Sequence, residues 1–169
     1  MVYVTRRAKH RRHGGELCFP GGKPEPTDSS LSMTAHRELK EELGVEPTEE
    51  LGRLSSVPVY TSDFRLEPFV VVLDDTRFSP APGEVSEVHA LDLLRLINAS
   101  KTDAIAYQRG DHAGLSPIYT VGSIWLYGAS AHVLRELCAI AAKAVGVDLP
   151  PLRASEVSSQ TVFDAAKER

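Results

Sequence analysis

Within six residues this chain places Arg37, Glu38, Glu41 and Glu42. If the stretch is helical, Glu38 lies three residues before Glu41 and four before Glu42, so the three carboxylates crowd onto neighbouring faces. Like charges held that close repel unless a cation stands among them. Arg37 reaches Glu41 across one turn, but one guanidinium cannot neutralise three carboxylates. A hard divalent cation with oxygen ligands, Mg²⁺ or Mn²⁺, is the economical explanation, and a metal so held polarises phosphate oxygens and activates water. Taken alone, RELKEEL is more simply a solvated helical face laced by i,i+4 pairs. The upstream turn Gly21-Gly22 shifts the balance, because glycine lets the Gly22 carbonyl approach an ion with no Cβ in the way.

The element that must carry these groups is legible. Leu31, Ala35, Leu39 and Leu43 recur every four residues and Gly44 follows, which predicts a helix over 30–43 with one buried stripe and a glycine C-cap. Asp28, Ser29 and Ser30 are the N-cap candidates. Ahead of it, residues 2–5 read as a strand. Behind it, 47–51 suggests a short helical turn, and 54–60 and 66–73 read as strands, the second valine-rich and central. The turn between them carries Phe64, an aromatic placed to stack on a base, although packing is the commoner use of a single phenylalanine. Residues 74–83 form a loop by composition. A further strand follows, with Glu84 and Glu87 where it begins.

Toward the C-terminus, 91–97 reads as a short helix, and 104–108 and 117–121 as strands about a turn at 110–114. Ser123 is then expected to cap a long helix running to Val145, burying Leu126, Val133, Leu134, Leu137, Ile140 and Ala141 and ending at Gly146. Residues 1–149 are expected to form one domain, and 150–169 a C-terminal tail on the surface or poorly ordered.

Bulk properties narrow the class. The 169 residues are 42% hydrophobic, enough for one globular core. No apolar run has the length of a membrane span, and the N-terminus lacks the order of a signal peptide. Cys18 and Cys138 are too few and too far apart for a metal motif, and a reduced protein of cytoplasmic type is expected. The six histidines show no zinc spacing, and no G-x-S-x-G elbow supports serine chemistry. The formal charge of −4 hides an asymmetry: residues 1–23 carry Arg6, Arg7, Lys9, Arg11, Arg12 and Lys23 against Glu16 alone, a net of +5. Such a basic lip ahead of an acidic helix draws phosphorylated small molecules, though a solvated loop or a nucleic-acid patch has the same composition.

The stretch from Gly22 through Asp28, Arg37, Glu38, Leu39, Glu41, Glu42, Gly44 and Val45 resembles the Nudix box, G-x5-E-x7-R-E-U-x-E-E-x-G-U, where U is bulky and aliphatic. The second half matches throughout. In the first half Asp28 stands at the acidic position, and eight residues rather than seven separate it from Arg37. That spacing, and Arg11, Gly15 and Phe19-Pro20-Gly21-Gly22 at the positions of R-x3-G-x3-FPGG, resemble the coenzyme A pyrophosphohydrolase subgroup.

The resemblance covers roughly residues 2–142 and implies an α/β fold, a Nudix-type α/β/α sandwich with a mixed sheet. It implies a hydrolase cleaving the diphosphate of coenzyme A or an acyl-CoA, with NADH, ADP-ribose or a damaged nucleoside triphosphate as rival substrates and a silent nucleotide- or RNA-binding domain as the rival class. Glu38 and Glu42 would hold Mg²⁺ or Mn²⁺ with Glu41 and the Gly22 carbonyl, Arg37 would orient the carboxylates with Asp28, and Glu84 would serve as ligand or base. Arg11, Gly15, Phe19 and Phe64 would meet a small-molecule nucleotide. Neither membrane nor nucleic acid is expected as a partner, and a homodimer is compatible. Related chains generally carry another strand ahead of residue 2, which would leave the sheet an uncovered edge here.

Overall fold

The computed structural model describes residues 1–10, 13–59 and 62–167. In chain order the strands and helices are β1 (Val2–Arg7), β2 (Leu17–Cys18), α1 (Leu31–Leu43), β3 (Glu49–Arg53), β4 (Val57–Pro58), β5 (Arg65–Leu66), β6 (Phe69–Val72), β7 (Val85–Leu91), α2 (Leu93–Ile97), β8 (Thr102–Arg109), β9 (His112–Pro117), β10 (Tyr119–Val121), β11 (Ile124–Leu126), α3 (Gly128–Val145), β12 (Leu152–Ala154) and α4 (Ser159–Lys167). Strand pairs are antiparallel except β12 beside β8, which is parallel, so the pairing is mixed.

β1 is the spine that positions the site. It lies between β2 and β7, in the order β2-β1-β7. β7 pairs with β1 along its whole length, whereas β2 covers only the Thr5–Arg6 part of the other side. Its alternating residues separate two cores. Val2 and Val4 join Leu17, Leu91, Leu126, Leu134 and Cys138 in a core covered by α3. On the other face Tyr3 meets the Phe78 ring edge-on, at 4.8 Å between centroids, and Phe78 packs against the core that α1 builds from Leu39 and Leu43 with Val45 and Val85. A helix thus covers each face.

α1 starts and stops as its sequence dictates. The Ser30 hydroxyl accepts from the Met33 amide at 3.2 Å, and Gly44 takes the left-handed conformation, φ 71°, with its amide donating to Lys40 O at 2.8 Å. The buried stripe departs from expectation at its beginning. Leu31 is 42% exposed, because the apolar neighbours of α1 gather around its last two turns, and Thr34 and Glu42 are buried beside Leu39 and Leu43.

Other expectations give way to tertiary pairing. The predicted helical turn at 47–51 overlaps β3, which is bulged between Glu50 and Gly52 as it pairs with β6; β6 is half-buried and, among the described residues, pairs with β3 alone, so it is not central. The strand predicted over 54–60 shrinks to β4 against β5. β9 takes over most of the turn expected at 110–114. Ser123 does not cap α3: Ile124-Trp125-Leu126, branched or aromatic at each position's core-facing side, pair with β10 across a turn that holds Gly122 at φ 60°, and α3 begins only after Tyr127. Ile140 is exposed, while Ala131, Cys138 and Ala142 are buried. The expected tail instead adds β12 and α4, whose Val162 is only 2% exposed. Cys18 and Cys138 are free thiols. Among the described residues no helix is long and apolar enough to cross a membrane.

Candidate active site

Arg37 is the hub of one half of the site. Its Nε donates to Asp28 Oδ1 at 3.1 Å, its Nη2 to Asp28 Oδ2 and to the Lys23 carbonyl at 3.1 Å each, and its Nη1 to Glu38 Oε1 at 3.1 Å and Glu41 Oε2 at 2.8 Å. Asp28 is fixed from behind by the Glu25 amide and the Thr34 hydroxyl, at 2.9 Å each. Hydrogen bonding from Arg37 first, then from the Glu25 amide, holds the Asp28 carboxyl down at about 2. The variant acidic position thus serves as the anchor of the arginine.

The other half is under-neutralised. Glu42 is 6% exposed and accepts the Gly21 amide at 3.3 Å. Burial pushes its carboxyl up to about 7, with Glu38 and Glu84 adding to the rise and Arg7 and the Gly21 amide opposing it. Burial also raises Glu38, opposed by Arg37 and reinforced by Glu41 and Glu84. The turn at Gly22 lies so close that a Cβ there would overlap the Glu38 carboxylate. Any larger residue would have to displace that carboxylate, so the constraint comes from contact with the acid rather than from backbone angle. Glu41 is half-exposed at the rim.

Glu84 precedes β7, its carbonyl accepting from the Ala8 amide at 2.8 Å and its carboxylate close enough to raise both Glu38 and Glu42. Glu87, the alternative, is engaged elsewhere, with Arg6 at 2.9 Å and His89 at 3.0 Å. The end of β1 and the residues after it are therefore seated on the Glu84 turn, and the His10 ring lies against Gly83.

The residues expected to meet substrate divide. Arg11 lies outside the described residues. Gly15 is a buried turn residue at φ 82° whose amide donates to Arg7 O at 2.9 Å and whose carbonyl accepts from Arg6 Nε at 3.1 Å, so it shapes the lip. Phe19 packs half-buried against the α3-side core rather than toward the acids. Phe64 is 47% exposed, with the Lys23 ammonium 4.6 Å from its ring centroid. Such an exposed cation–π contact stabilises by about 0.5–1 kcal/mol, whereas base stacking on an aromatic ring is worth about 1–3 kcal/mol.

Arg7 and Lys23 entered the sequence reading only as members of the basic lip. Arg7 lies near Cys18 and Glu42, and its charge opposes the rise of the Glu42 carboxyl. Its signal was strand alternation, which puts Arg7 on the face of Thr5 and Tyr3.

The donor set fits a divalent cation. Among the described residues no three or more His, Cys, Asp or Glu side chains are placed together so that they could hold a metal ion. Even so, a buried carboxylate raised to about 7, like-charged neighbours from α1 and the Glu84 turn, and a glycine turn pressed against Glu38 together lack the positive charge a hard ion brings.

Comparison with known proteins agrees. The family model described as NUDIX domain matches residues 1–109. The chain is 34% identical over 142 residues to the uncharacterized Nudix hydrolase NudL of Yersinia enterocolitica, spanning 80% of this chain and 71% of that protein. It is 31% identical over 140 residues to the NudL of an Enterobacter species, spanning 80% and 72%. A solved MutT protein from Methanosarcina mazei is similar over 57% of this chain and 70% of its own, at 24% identity and a TM-score of 0.42; the assignment rests on the sequence matches. The chain belongs to the Nudix family, whose members are pyrophosphohydrolases that act on nucleoside diphosphate derivatives with divalent metals.

Proposed function

We propose that this Nudix domain hydrolyses the diphosphate of coenzyme A or an acyl-CoA, giving adenosine 3′,5′-bisphosphate and 4′-phosphopantetheine or its acyl form. The observation that carries the chemistry is Glu42, a buried carboxylate raised to about 7 among Glu38 and Glu84. The FPGG segment and the spacing from Asp28 to Arg37 support the coenzyme A class.

Glu38 and Glu42 would hold the principal Mg²⁺ or Mn²⁺, with Glu41 and the Gly22 carbonyl contributing. When bound, the ion supplies a lowered water pKa and neutralises diphosphate charge. Glu84, whose charge acts on both Glu38 and Glu42, would take the proton of the attacking water as the new P–O bond forms and the bridging P–O bond breaks. Arg37 holds Glu38 and Glu41 in place through Asp28. Arg11 and the basic lip receive the anionic end of the nucleotide, and Phe64 offers a face to the base.

The test is product analysis with coenzyme A, NADH, ADP-ribose and an oxidised dGTP, each with Mg²⁺, Mn²⁺ or chelator. Metal-dependent release of adenosine 3′,5′-bisphosphate faster than cleavage of the others is expected. Faster cleavage of another nucleotide would overturn the substrate while leaving the chemistry; no cleavage of any would favour a binding domain.

A further inference from the structure

Lys23 belongs to the basic lip, and it also joins two regions that a nucleotide must span. Its carbonyl is held by Arg37 Nη2 at 3.1 Å, and it directly follows Gly22, whose backbone lies against Glu38. Its ammonium is drawn away from that site, over the Phe64 ring on the turn before β5. The main chain of Lys23 is therefore fixed beside the diphosphate position while its charge rests on the surface proposed for the base. The ring is otherwise exposed. Stacking of a base on an aromatic face is the stronger of the two contacts open to Phe64.

We infer that Lys23 couples base recognition to diphosphate binding: a base stacking on Phe64 displaces the ammonium, which then turns to the diphosphate of the same substrate. The four-carbon stem permits this swing without backbone movement, and the freed ammonium is a mobile point charge suited to phosphate oxygens. Without a base, the ammonium must give up its contact with the ring to reach the diphosphate, which gains correspondingly less from it. The domain would thereby favour diphosphates that carry a base over base-free ones. This inference rests on the reading of Phe64 as the base-stacking face.

The experiment is calorimetric binding, with Mg²⁺, of α,β-methylene-ADP and of its base-free counterpart to wild-type protein, F64A, K23M and the double variant. K23M should weaken the base-bearing ligand by about tenfold, as for one lost charge-assisted contact, and the base-free ligand by only about threefold, because there the ammonium must first give up the ring. F64A should weaken the base-bearing ligand by about tenfold. It should also tighten the base-free ligand by about threefold, the strength of the cation–π contact it abolishes. In the double variant that gain should vanish.

Equal weakening of both ligands by K23M would overturn the coupling and leave Lys23 an ordinary phosphate contact. Unchanged discrimination in F64A would overturn the reading of Phe64 beneath it. If wild-type protein binds neither ligand, both fall. Because Lys23 and Phe64 are exposed, all three variants are expected to melt with the wild type.

Discussion

On one flank of α1, Asp28, Arg37 and Glu41 form a hydrogen-bonded set in which a guanidinium meets its carboxylates within 2.8–3.1 Å and Asp28 is held at about 2. On the other, Glu38, Glu42 and Glu84 share a pocket of negative charge opposed by Arg7 and the edge of Arg37, and Glu42 stands at about 7. The side chains are of one chemical type. Their surroundings separate an anchoring half, held by hydrogen bonds to a guanidinium, from a half raised by burial and like charge.

The largest effect should come from E42Q. Turnover should fall roughly a hundred- to thousandfold, as for loss of a group central to transition-state charge stabilisation, while the chelated protein melts no lower than wild type at pH 8, since the amide cannot ionise. Near wild-type turnover would dissolve the distinction between the flanks. G22A should come next: the added methyl displaces the Glu38 carboxylate, and kcat should drop about 10–100-fold, the usual cost of disturbing a ligand's support.

The flanks should also titrate in opposite directions. Glu42 is raised from 4.5 to about 7, so its protonated form is favoured in the folded state. In chelator its contribution is intact below pH 4.5 and is lost as pH rises through 7. Asp28 is lowered from 3.8 to about 2, so its contribution is intact above pH 3.8 and lost as pH falls through 2. Melting temperatures across pH should show both limbs, and Mg²⁺ should raise the melting temperature more at pH 8 than at pH 5. A metal response independent of pH would place the ion away from Glu42. D28N should give the smallest effect, a few-fold loss of kcat from a loosened Arg37 with the acid limb flattened. A loss as large as that of E42Q would mean that the anchoring flank takes part in chemistry.

Much of the anchoring flank was readable from the residues. Ser30, Gly44 and the pairing of Arg37 with Glu41 and Asp28 depend on contacts within about a dozen residues, where helical spacing decides who meets whom. The pocket flank was readable in residue type but not in state. Glu42 acquires its raised pKa from burial against β1 and from Glu84, more than forty positions away. Phe19 is a different case: its motif position suggests substrate, while its half-buried ring packs against the α3-side core. Ile124-Trp125-Leu126 looked like the first turn of a helix because its apolar spacing fits either period. Pairing with Tyr119–Val121 decided for the strand.

By itself the sequence determined the helix, its caps, the glycine turn and the chemical class of its acids, since all of these follow from local geometry and side-chain type. Only the tertiary structure decided that Glu42 is buried, that Arg7 and Glu84 act on it, and that Lys23 rests on Phe64. Desolvation and charge proximity depend on distances between segments remote in sequence, and those distances are fixed when β1 lies between β2 and β7 with a helix on each face.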